Sequence, residues 1–259
     1  MTRVTVGLLH PGEMGSALGA ALRERGHPVV WASAGRSAAT AKRAESAELL
    51  DVLSVNDVAS RSDVIVSVCP PHAAAEVAES VVGYEGVYVD ANAISPASSR
   101  GIASVIESAG GRYVDGGIVG PPPRTPGTTR LYLSGPHAGA AAELFGGGSL
   151  EAVVVSDEVG HASAVKMAYA AWTKGTAALL LAIRELARAE AVESTLLDEW
   201  RTSLPELEEA CERADRSAAS KGWRWVAEME EIASTFAAAD LPDGFHRAAA
   251  EIFRRAEQR

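Results

Sequence analysis

A chain of 259 residues, 47% of them hydrophobic, is long and apolar enough for one large α/β domain or for a nucleotide-binding domain with a smaller partner domain. Its formal net charge of −10 argues against nucleic-acid binding, and two cysteines are too few for a disulfide framework or a zinc site. No uncharged apolar stretch is long enough to span a membrane, and an apolar strand begins almost at the first residue. We therefore expect a cytoplasmic protein without a signal peptide or a membrane partner.

Apolar strands alternate with helical segments over residues 1–155. The predicted strands cover 4–9, 28–32, 63–69, 87–90, 112–115 and 130–134, and the predicted helices cover 13–24, 37–50, 73–82 and 96–109. No hairpin turn joins the early strands, so the alternation indicates a mostly parallel, doubly wound sheet of the Rossmann type. Ligands of such sheets bind at the carboxyl ends of the strands.

Residues 156–259 carry no strand signal. Helical patterns cover 161–191, 195–200, 206–214, 223–238 and 245–257, and the first of them is long and rich in alanine and leucine. The predicted fold class is therefore α/β, with a Rossmann-type domain at residues 1–155. An all-helical domain at residues 156–259 follows it.

A glycine turn separates the first predicted strand from the first predicted helix. Gly12, Glu13, Met14 and Gly15 begin that helix, and its unpaired backbone N–H groups and its dipole favour an anion such as a pyrophosphate. Gly12 would let phosphate oxygens approach the backbone, and Gly15 would let the helix pack close to the strand. His10 stands where the Gly-x-Gly-x-x-Gly fingerprint has its first glycine, so an ordinary βα turn is the alternative.

The end of the second strand indicates which dinucleotide binds. An NAD enzyme usually has an acid there to hold the ribose 2′-hydroxyl, whereas the stretch after Trp31 has no acid before Glu45. Arg36, with Ser33 and Ser37, suits a 2′-phosphate because guanidinium groups match phosphate oxygens. The sequence thus favours NADP (NADPH), with NAD possible, and the alternative for Arg36 is a solvated loop charge.

Two further positions carry groups for proton transfer or hydrogen bonding. Lys166 lies among small apolar residues in the first turns of the long helix, with Tyr169 one turn later, and such a lysine either reaches solvent or is held for proton transfer. Asn92 either binds substrate or nicotinamide or forms an Asx turn. The histidines lack metal-ligand spacing, so we expect no metal site.

Four segments occur in an order that points to one family. They are His10-Pro-Gly-Glu-Met-Gly15, Cys69-Pro70-Pro71, Asp90-Ala-Asn-Ala-Ile-Ser-Pro96 and Gly160-His-Ala-Ser-Ala-Val-Lys166. Together they resemble the glycine turn, the cofactor-contacting hydrophobic-x-Pro loop, the Asp-x-Ser-Thr-x-x-Pro segment and the lysine segment of the β-hydroxyacid dehydrogenase and 6-phosphogluconate dehydrogenase superfamily. The resemblance is strongest to short bacterial members with a distinct C-terminal helical domain.

This resemblance implies hydride transfer between C4 of the nicotinamide and a small carbonyl or hydroxy substrate, in a cleft between the sheet and the long helix. Lys166 would be the general acid or base and Tyr169 would assist it, although relatives usually carry Asn at that position. Cys69, Pro70 and Asn92 would contact the cofactor. The resemblance also implies a homodimer in which the helical domains pack together.

The substrate loop departs from the family pattern. Relatives have Asp-x-x-x-Ser-Gly-Gly, whereas here Val119 takes the place of the serine that would hold a substrate carboxylate, and Gly120 follows it. Asn92, Val119 and Gly120 would then position a less polar substrate than an ordinary 3-hydroxy acid. An imine reductase of the same architecture is one alternative, although Lys166 argues mildly against it. A non-catalytic NADPH-binding protein is the other alternative.

Overall fold

A computed structural model shows a chain of two compact units, Met1–Lys166 and Met167–Arg259. It describes residues 3–257, apart from the side chains of residues 221 and 257. The long helix α7 (His161–Ala189) begins in the first unit and continues into the second. The predicted division after residue 155 lies upstream of this boundary, because the first turns of α7 belong to the first unit.

In the part of the chain that the structure describes, eight strands form one sheet in the order β3-β2-β1-β4-β5-β6-β7-β8. The strands are β1 (Val6–Leu9), β2 (Val29–Trp31), β3 (Leu50–Asp51), β4 (Val64–Ser67), β5 (Val87–Asp90), β6 (Arg112–Val119), β7 (Thr129–Ser134) and β8 (Leu150–Ser156). All neighbours are parallel except the antiparallel pair β6 and β7. The predicted Rossmann-type α/β fold is confirmed.

Helices cover both faces of this sheet. The remaining helices are α1 (Glu13–Glu24), α2 (Ala38–Ser46), α3 (Val55–Arg61), α4 (Ala74–Glu79), α5 (Pro96–Ser108), α6 (Ala138–Phe145), α8 (Glu193–Ser203), α9 (Glu206–Ala238) and α10 (Gly244–Glu257). Successive strand residues point to opposite faces, so Val66 of β4 joins a core with α1 and α6, whereas Ile65 joins a core with α3, α4 and α5. Each large side chain buried in this way contributes about 1.5–3 kcal/mol.

The sheet topology brings distant parts of the sequence to one edge. Four adjacent strands of the sheet, β1, β4, β5 and β6, are parallel to one another. Their carboxyl ends therefore lie at the same edge of the sheet. The segments after them are the glycine turn, the Cys69–Pro71 loop, the Asn92 loop and the loop after Val119. This edge is where doubly wound sheets bind their ligands.

The second unit is helical, and one ion pair is buried in it. α9 and α10 pack against each other, with the rings of Trp225 and Phe253 edge to face, 5.1 Å between centroids. Lys174 of α7 and Glu228 of α9 form a buried ion pair, and the Lys174 ammonium also lies 5.8 Å from the Trp225 ring centroid. Over the described residues, no helix combines the length and the apolar character needed to cross a bilayer.

Several predicted element bounds are wrong. The segments predicted at 206–214 and 223–238 are one helix, α9. Gly222 lies inside it, because a single glycine costs a long helix only about 1 kcal/mol and does not end it. β3, α3, α6 and β8 were not predicted, because each is short or mixes polar and apolar residues. β6 does not stop at Asp115 but runs to Val119, where it pairs with Arg130 of β7, so Val119 lies in a strand.

Candidate cofactor and catalytic site

The glycine turn after β1 has the space and the free backbone donors of an anion site. Gly12 is the N-cap of α1, and no side chain of the described residues caps the helix there. A Cβ built on Gly12 would meet no atom within 4 Å, whereas one on Gly15 would lie 2.5 Å from the His10 carbonyl oxygen. Gly12 thus faces open space, and Gly15 is required for close packing of α1 onto the turn.

His10 has unusual backbone and side-chain environments. Its φ of 68° lies in the left-handed region, which costs a non-glycine residue about 1 kcal/mol or more. Its carbonyl accepts a hydrogen bond from the Gly12 N–H at 2.8 Å, which closes the turn. Its Nδ1 is buried without a hydrogen-bond partner among the described residues. Burial, and then the nearby charge of Arg36, lower the pKa of His10 to about 4, so the ring is neutral at physiological pH.

These features fit the pyrophosphate of a dinucleotide. The N–H groups of Glu13, Met14 and Gly15 in the first turn of α1 have no acceptor within their own helix. The Glu13 side chain is exposed, so the turn can offer its N–H without burying the carboxylate. Backbone N–H donors therefore line the open space at the start of α1, and a side chain at position 12 would occupy that space.

The loop after β2 contains the three residues predicted for a 2′-phosphate. Arg36 is partly buried, and Ser37 caps α2 by accepting the Thr40 N–H at 3.2 Å. The Ser33 N–H donates to Asp51 Oδ1 at 3.2 Å, so β3 brings an acid into this loop that the local sequence does not show. The same Asp51 oxygen also accepts the Leu53 N–H at 2.8 Å.

The ends of β4 and β5 are joined through the Asn92 side chain. Asn92 accepts the Cys69 N–H at 2.5 Å and donates to Ser67 Oγ at 3.1 Å, and it is only 2% exposed. The amide therefore shapes the Cys69–Pro70 loop, and a direct contact of Asn92 with substrate or cofactor stays a prediction. Burial raises the pKa of the Cys69 thiol to about 12, so the thiol is not an ionised nucleophile.

Asp90 is fully buried beside Asn92. One carboxyl oxygen accepts the Asn92 N–H at 3.0 Å, and the other has no partner among the residues described. Burial, with the charge of Asp115 acting in the same direction, raises the pKa of Asp90 to about 7, even though the bond from Asn92 opposes the shift.

Asp115 on β6 anchors the start of α7. Its carboxylate accepts the N–H groups of Gly160 and Ser163, both at 3.0 Å, and the Ser163 hydroxyl at 2.5 Å. The hydroxyls of Ser99 and Ser134 donate to it as well, at 2.9 and 2.8 Å. A carboxylate from the sheet thus caps the helix N-terminus, where the helix dipole favours negative charge.

This anchor places Lys166 against the sheet. A Cβ on Gly117 of β6 would lie 2.8 Å from both the Lys166 Cβ and the Ala162 carbonyl oxygen, so this turn of α7 lies directly against the strand backbone. Lys166 is partly buried, while Tyr169, one turn later, is 49% exposed.

The two predicted substrate-loop residues have different surroundings. Val119 is buried at the end of β6, and Gly120 has a φ of 121° and lies so close to the Thr128 and Thr129 backbone that a side chain would not fit. Asp115 and Asp51 help to form this part of the structure, and neither was among the predicted site residues. Asp115 lies within β6, and the Gly160 and Ser163 amides that it holds are 45 and 48 residues distant in sequence, so no local pattern pairs them.

Two domain-family models match the chain. Residues 1–106 match the Rossmann-like domain family, and residues 187–256 match the domain of unknown function DUF1932. The uncharacterized 28.5 kDa protein in the 7S RNA 5′ region of Methanothermus fervidus is 30% identical over 196 residues, which is 74% of either chain. A conserved protein of unknown function, described as structurally similar to 3-hydroxyacid dehydrogenases, is 30% identical with a TM-score of 0.70, covering 98% of this chain and 97% of that one.

More distant solved structures share the fold. The 3-hydroxyisobutyrate dehydrogenase of Mycobacterium tuberculosis has a TM-score of 0.75 at 15% identity, covering 98% of this chain and 94% of that one. A reductive aminase from Aspergillus terreus, solved with NADPH and ethyl levulinate, has a TM-score of 0.61 at 18% identity, covering 99% and 94%. The chain therefore belongs to the β-hydroxyacid dehydrogenase and 6-phosphogluconate dehydrogenase-like superfamily, with a Rossmann-like N-terminal domain and a DUF1932 C-terminal domain.

Proposed function

We propose that this protein is an NADPH-dependent oxidoreductase that transfers hydride between nicotinamide and a small carbonyl or hydroxy substrate. The observation that carries the proposal is that the open, uncapped glycine turn and the anchored Lys166 segment lie at the same edge of one sheet. The similarity to hydroxyacid dehydrogenases and imine reductases supports a dinucleotide-dependent oxidoreductase.

The cofactor would be held by backbone groups and one arginine. The first-turn amides of α1 would bind the pyrophosphate, and Arg36 would bind the 2′-phosphate with Ser33 and Ser37 beside it. The Cys69–Pro70 loop, shaped by Asn92, would contact the nicotinamide side. When bound, the dinucleotide supplies or accepts the hydride at C4 of its nicotinamide.

The chain's own contribution to the reaction would be proton transfer and positioning. Lys166 would give or take the proton on the substrate heteroatom, with Tyr169 assisting. Asp115 would fix the position of Lys166 by holding the first turn of α7 on β6. This arrangement would keep the ammonium group near the reacting centre without a mobile loop.

The substrate would be a small molecule that is less polar than an ordinary 3-hydroxy acid. Val119 offers no side-chain donor for a carboxylate, in contrast to a serine at that position. The same feature supports a second candidate, reduction of an imine, in which Lys166 would protonate nitrogen instead of oxygen. A non-catalytic NADPH-binding protein is the third candidate, and it predicts that Lys166 substitutions change no turnover.

We also propose a homodimer formed through α7, in a protein of the cytoplasm. Trp172, Leu179 and Leu186 are 73%, 45% and 63% exposed, and their seven-residue spacing places them in one stripe along the helix. Thr176 and Ile183 lie between them at the intervening heptad positions. We call these five residues the α7 stripe. The stripe supports a dimer, because a second copy would bury apolar side chains that a monomer exposes to water.

Arg36→Ala is expected to weaken NADPH binding by about 10- to 100-fold and to leave NADH binding nearly unchanged. Hydrogen bonds to charged groups contribute about 1.5–3 kcal/mol, and only NADPH carries the 2′-phosphate that would receive them. Titration of the purified protein with each dinucleotide, followed by nicotinamide fluorescence, measures both affinities. This titration is also the test of the proposed function.

Arg43→Ala is the matched control, because Arg43 is an exposed arginine on the neighbouring helix α2 and its removal changes the net charge equally. It should alter neither affinity by more than the general charge effect. A wild-type preference for NADH would contradict the assignment of Arg36, and binding of neither dinucleotide would contradict the proposed function as a whole.

The double substitution of Leu179 and Leu186 by Glu is expected to convert a dimer into a monomer. A dimer of this variant would hold four carboxylates at the centre of an apolar interface, and desolvating them without partners costs several kcal/mol per subunit pair. Light scattering gives the mass directly. Leu241→Glu, at an exposed leucine outside α7, is the control and should remain dimeric. A monomeric wild type would refute the dimer.

A further inference from the structure

His10 combines a positive φ with a buried ring nitrogen that has no hydrogen-bond partner among the described residues. Its backbone adopts a φ of 68°, which glycine adopts freely, at the position where the dinucleotide fingerprint has a glycine. Its Nδ1 is enclosed without a partner among the described residues. Both features are unfavourable for the folded chain alone, and such features concentrate where a residue meets a ligand.

The ring presents a neutral donor. Among the described residues, Nδ1 is the one ring nitrogen that is enclosed without a partner. An enclosed lone pair is tolerated better than an enclosed N–H, because an N–H without an acceptor is the rarer buried group. The tautomer with the proton on Nε2 is therefore favoured. The nearby positive charge of Arg36 also disfavours a second proton.

We propose that His10 binds the adenosine side of the dinucleotide directly, by donating its Nε2–H to a phosphate or ribose oxygen. Arg36 indicates the adenosine side, because its charge lowers the pKa of the His10 ring and so lies near that ring. Arg36 follows β2, and β2 lies next to β1 on the adenosine side of a doubly wound site. The first glycine of the fingerprint serves the tight turn and has no side chain, so His10 would add a contact that glycine cannot make there. The inference rests on the proposed function and makes it more specific.

The test compares His10→Gly with the wild type in three measurements: NADPH affinity by fluorescence, adenosine 2′,5′-bisphosphate affinity by calorimetry, and melting temperature. Glycine removes the hydrogen bond and relieves the positive φ. We expect both ligands to bind about 3- to 10-fold more weakly, which is the loss of one neutral hydrogen bond, while the melting temperature stays the same or rises.

Two variants distinguish the effect of the His10 side chain on binding from the effect of relieving a positive φ on stability. Ala191→Gly relieves a φ of 56° after α7, and it should change stability without changing either affinity. His10→Asn tolerates the positive φ and keeps an N–H donor, so it should bind better than His10→Gly.

The outcomes distinguish this inference from the function on which it rests. Wild-type NADPH binding that His10→Gly leaves unchanged or strengthens would overturn the role of His10 and leave the proposed function standing. A loss confined to NADPH, with the bisphosphate unaffected, would overturn the assignment to the adenosine side. A wild type that binds neither ligand would overturn both.

Discussion

Lys166→Met is expected to lower turnover by about 10²- to 10⁴-fold while NADPH affinity stays within about twofold, because general acid–base catalysis contributes rate enhancements of that size. Methionine keeps the Cβ that lies close to Gly117 and an unbranched apolar stem, so the start of α7 should remain in place. The measurement is the oxidation of NADPH with a panel of small aldehydes, ketones and cyclic imines. The same variant is then assayed on whichever substrate the wild type reduces.

Lys166→Arg is the informative companion. It keeps the positive charge and the length of the side chain, but a guanidinium does not release a proton in the accessible pH range. If Lys166 transfers a proton, arginine is as inactive as methionine. An active arginine variant would show that the charge alone is needed, and two fully active variants would support the non-catalytic alternative.

Asp115→Ala is expected to reduce the free energy of unfolding by about 3 kcal/mol or more. The carboxylate accepts five hydrogen bonds, from the Gly160 and Ser163 amides and from three serine hydroxyls, and each buried donor left without an acceptor costs about 1–3 kcal/mol before relaxation. The loss should be visible in urea or thermal unfolding of the purified protein without any cofactor.

Asp90→Asn provides a control on the neighbouring strand, because Asp90 and Asp115 are paired in the register of β5 and β6. The pKa of Asp90 is raised to about 7 from an ordinary value near 4, so the folded state holds a proton that the unfolded state releases between these pH values. Wild-type stability therefore falls as pH rises through this window. Asparagine removes that dependence, so at pH 8 the variant should lose far less stability than Asp115→Ala.

An equal loss for both variants would contradict the special role of the Asp115 anchor. It would mean that any substitution of a buried carboxylate at this edge destabilises the sheet. A flat pH dependence of wild-type stability between pH 4 and pH 7 would separately contradict the raised pKa of Asp90.

The main architecture could be predicted because its signals are local. The bounds of α1 were predicted without error, since the glycine turn begins the helix and Gly26 follows its end. β5 was also predicted residue for residue, because a compact apolar run ends at an acid that begins a loop. Buried parallel strands give near-continuous apolar runs, which the sequence displays directly.

The parts that were missed depend on contacts between distant residues. Asp51 reaches Ser33 only because β3 pairs with β2, and nothing in the sequence around Ser33 reveals that acid. Asn92 was predicted to bind substrate or nicotinamide or to form an Asx turn, and its side-chain bonds to the Cys69 amide and to Ser67 of β4 join residues 23 and 25 positions apart, which no local pattern reveals. A sequence pattern shows which polar side chains follow the ends of strands. It does not show whether such a side chain bonds to a ligand or to another polar group of the protein.

The attachment of α7 to β6 has a consequence for domain exchange. A chimera that takes its Rossmann-like half from this protein and its helical half from a relative has to be joined after residue 166, because Asp115, Ser134 and Gly117 are matched to residues 160–166. A junction at residue 155 would combine a capping carboxylate with a foreign helix start. Recombination between relatives should therefore preserve the first turns of the long helix together with the sheet, so that the lysine is inherited with the dinucleotide half and the helical half can diverge independently.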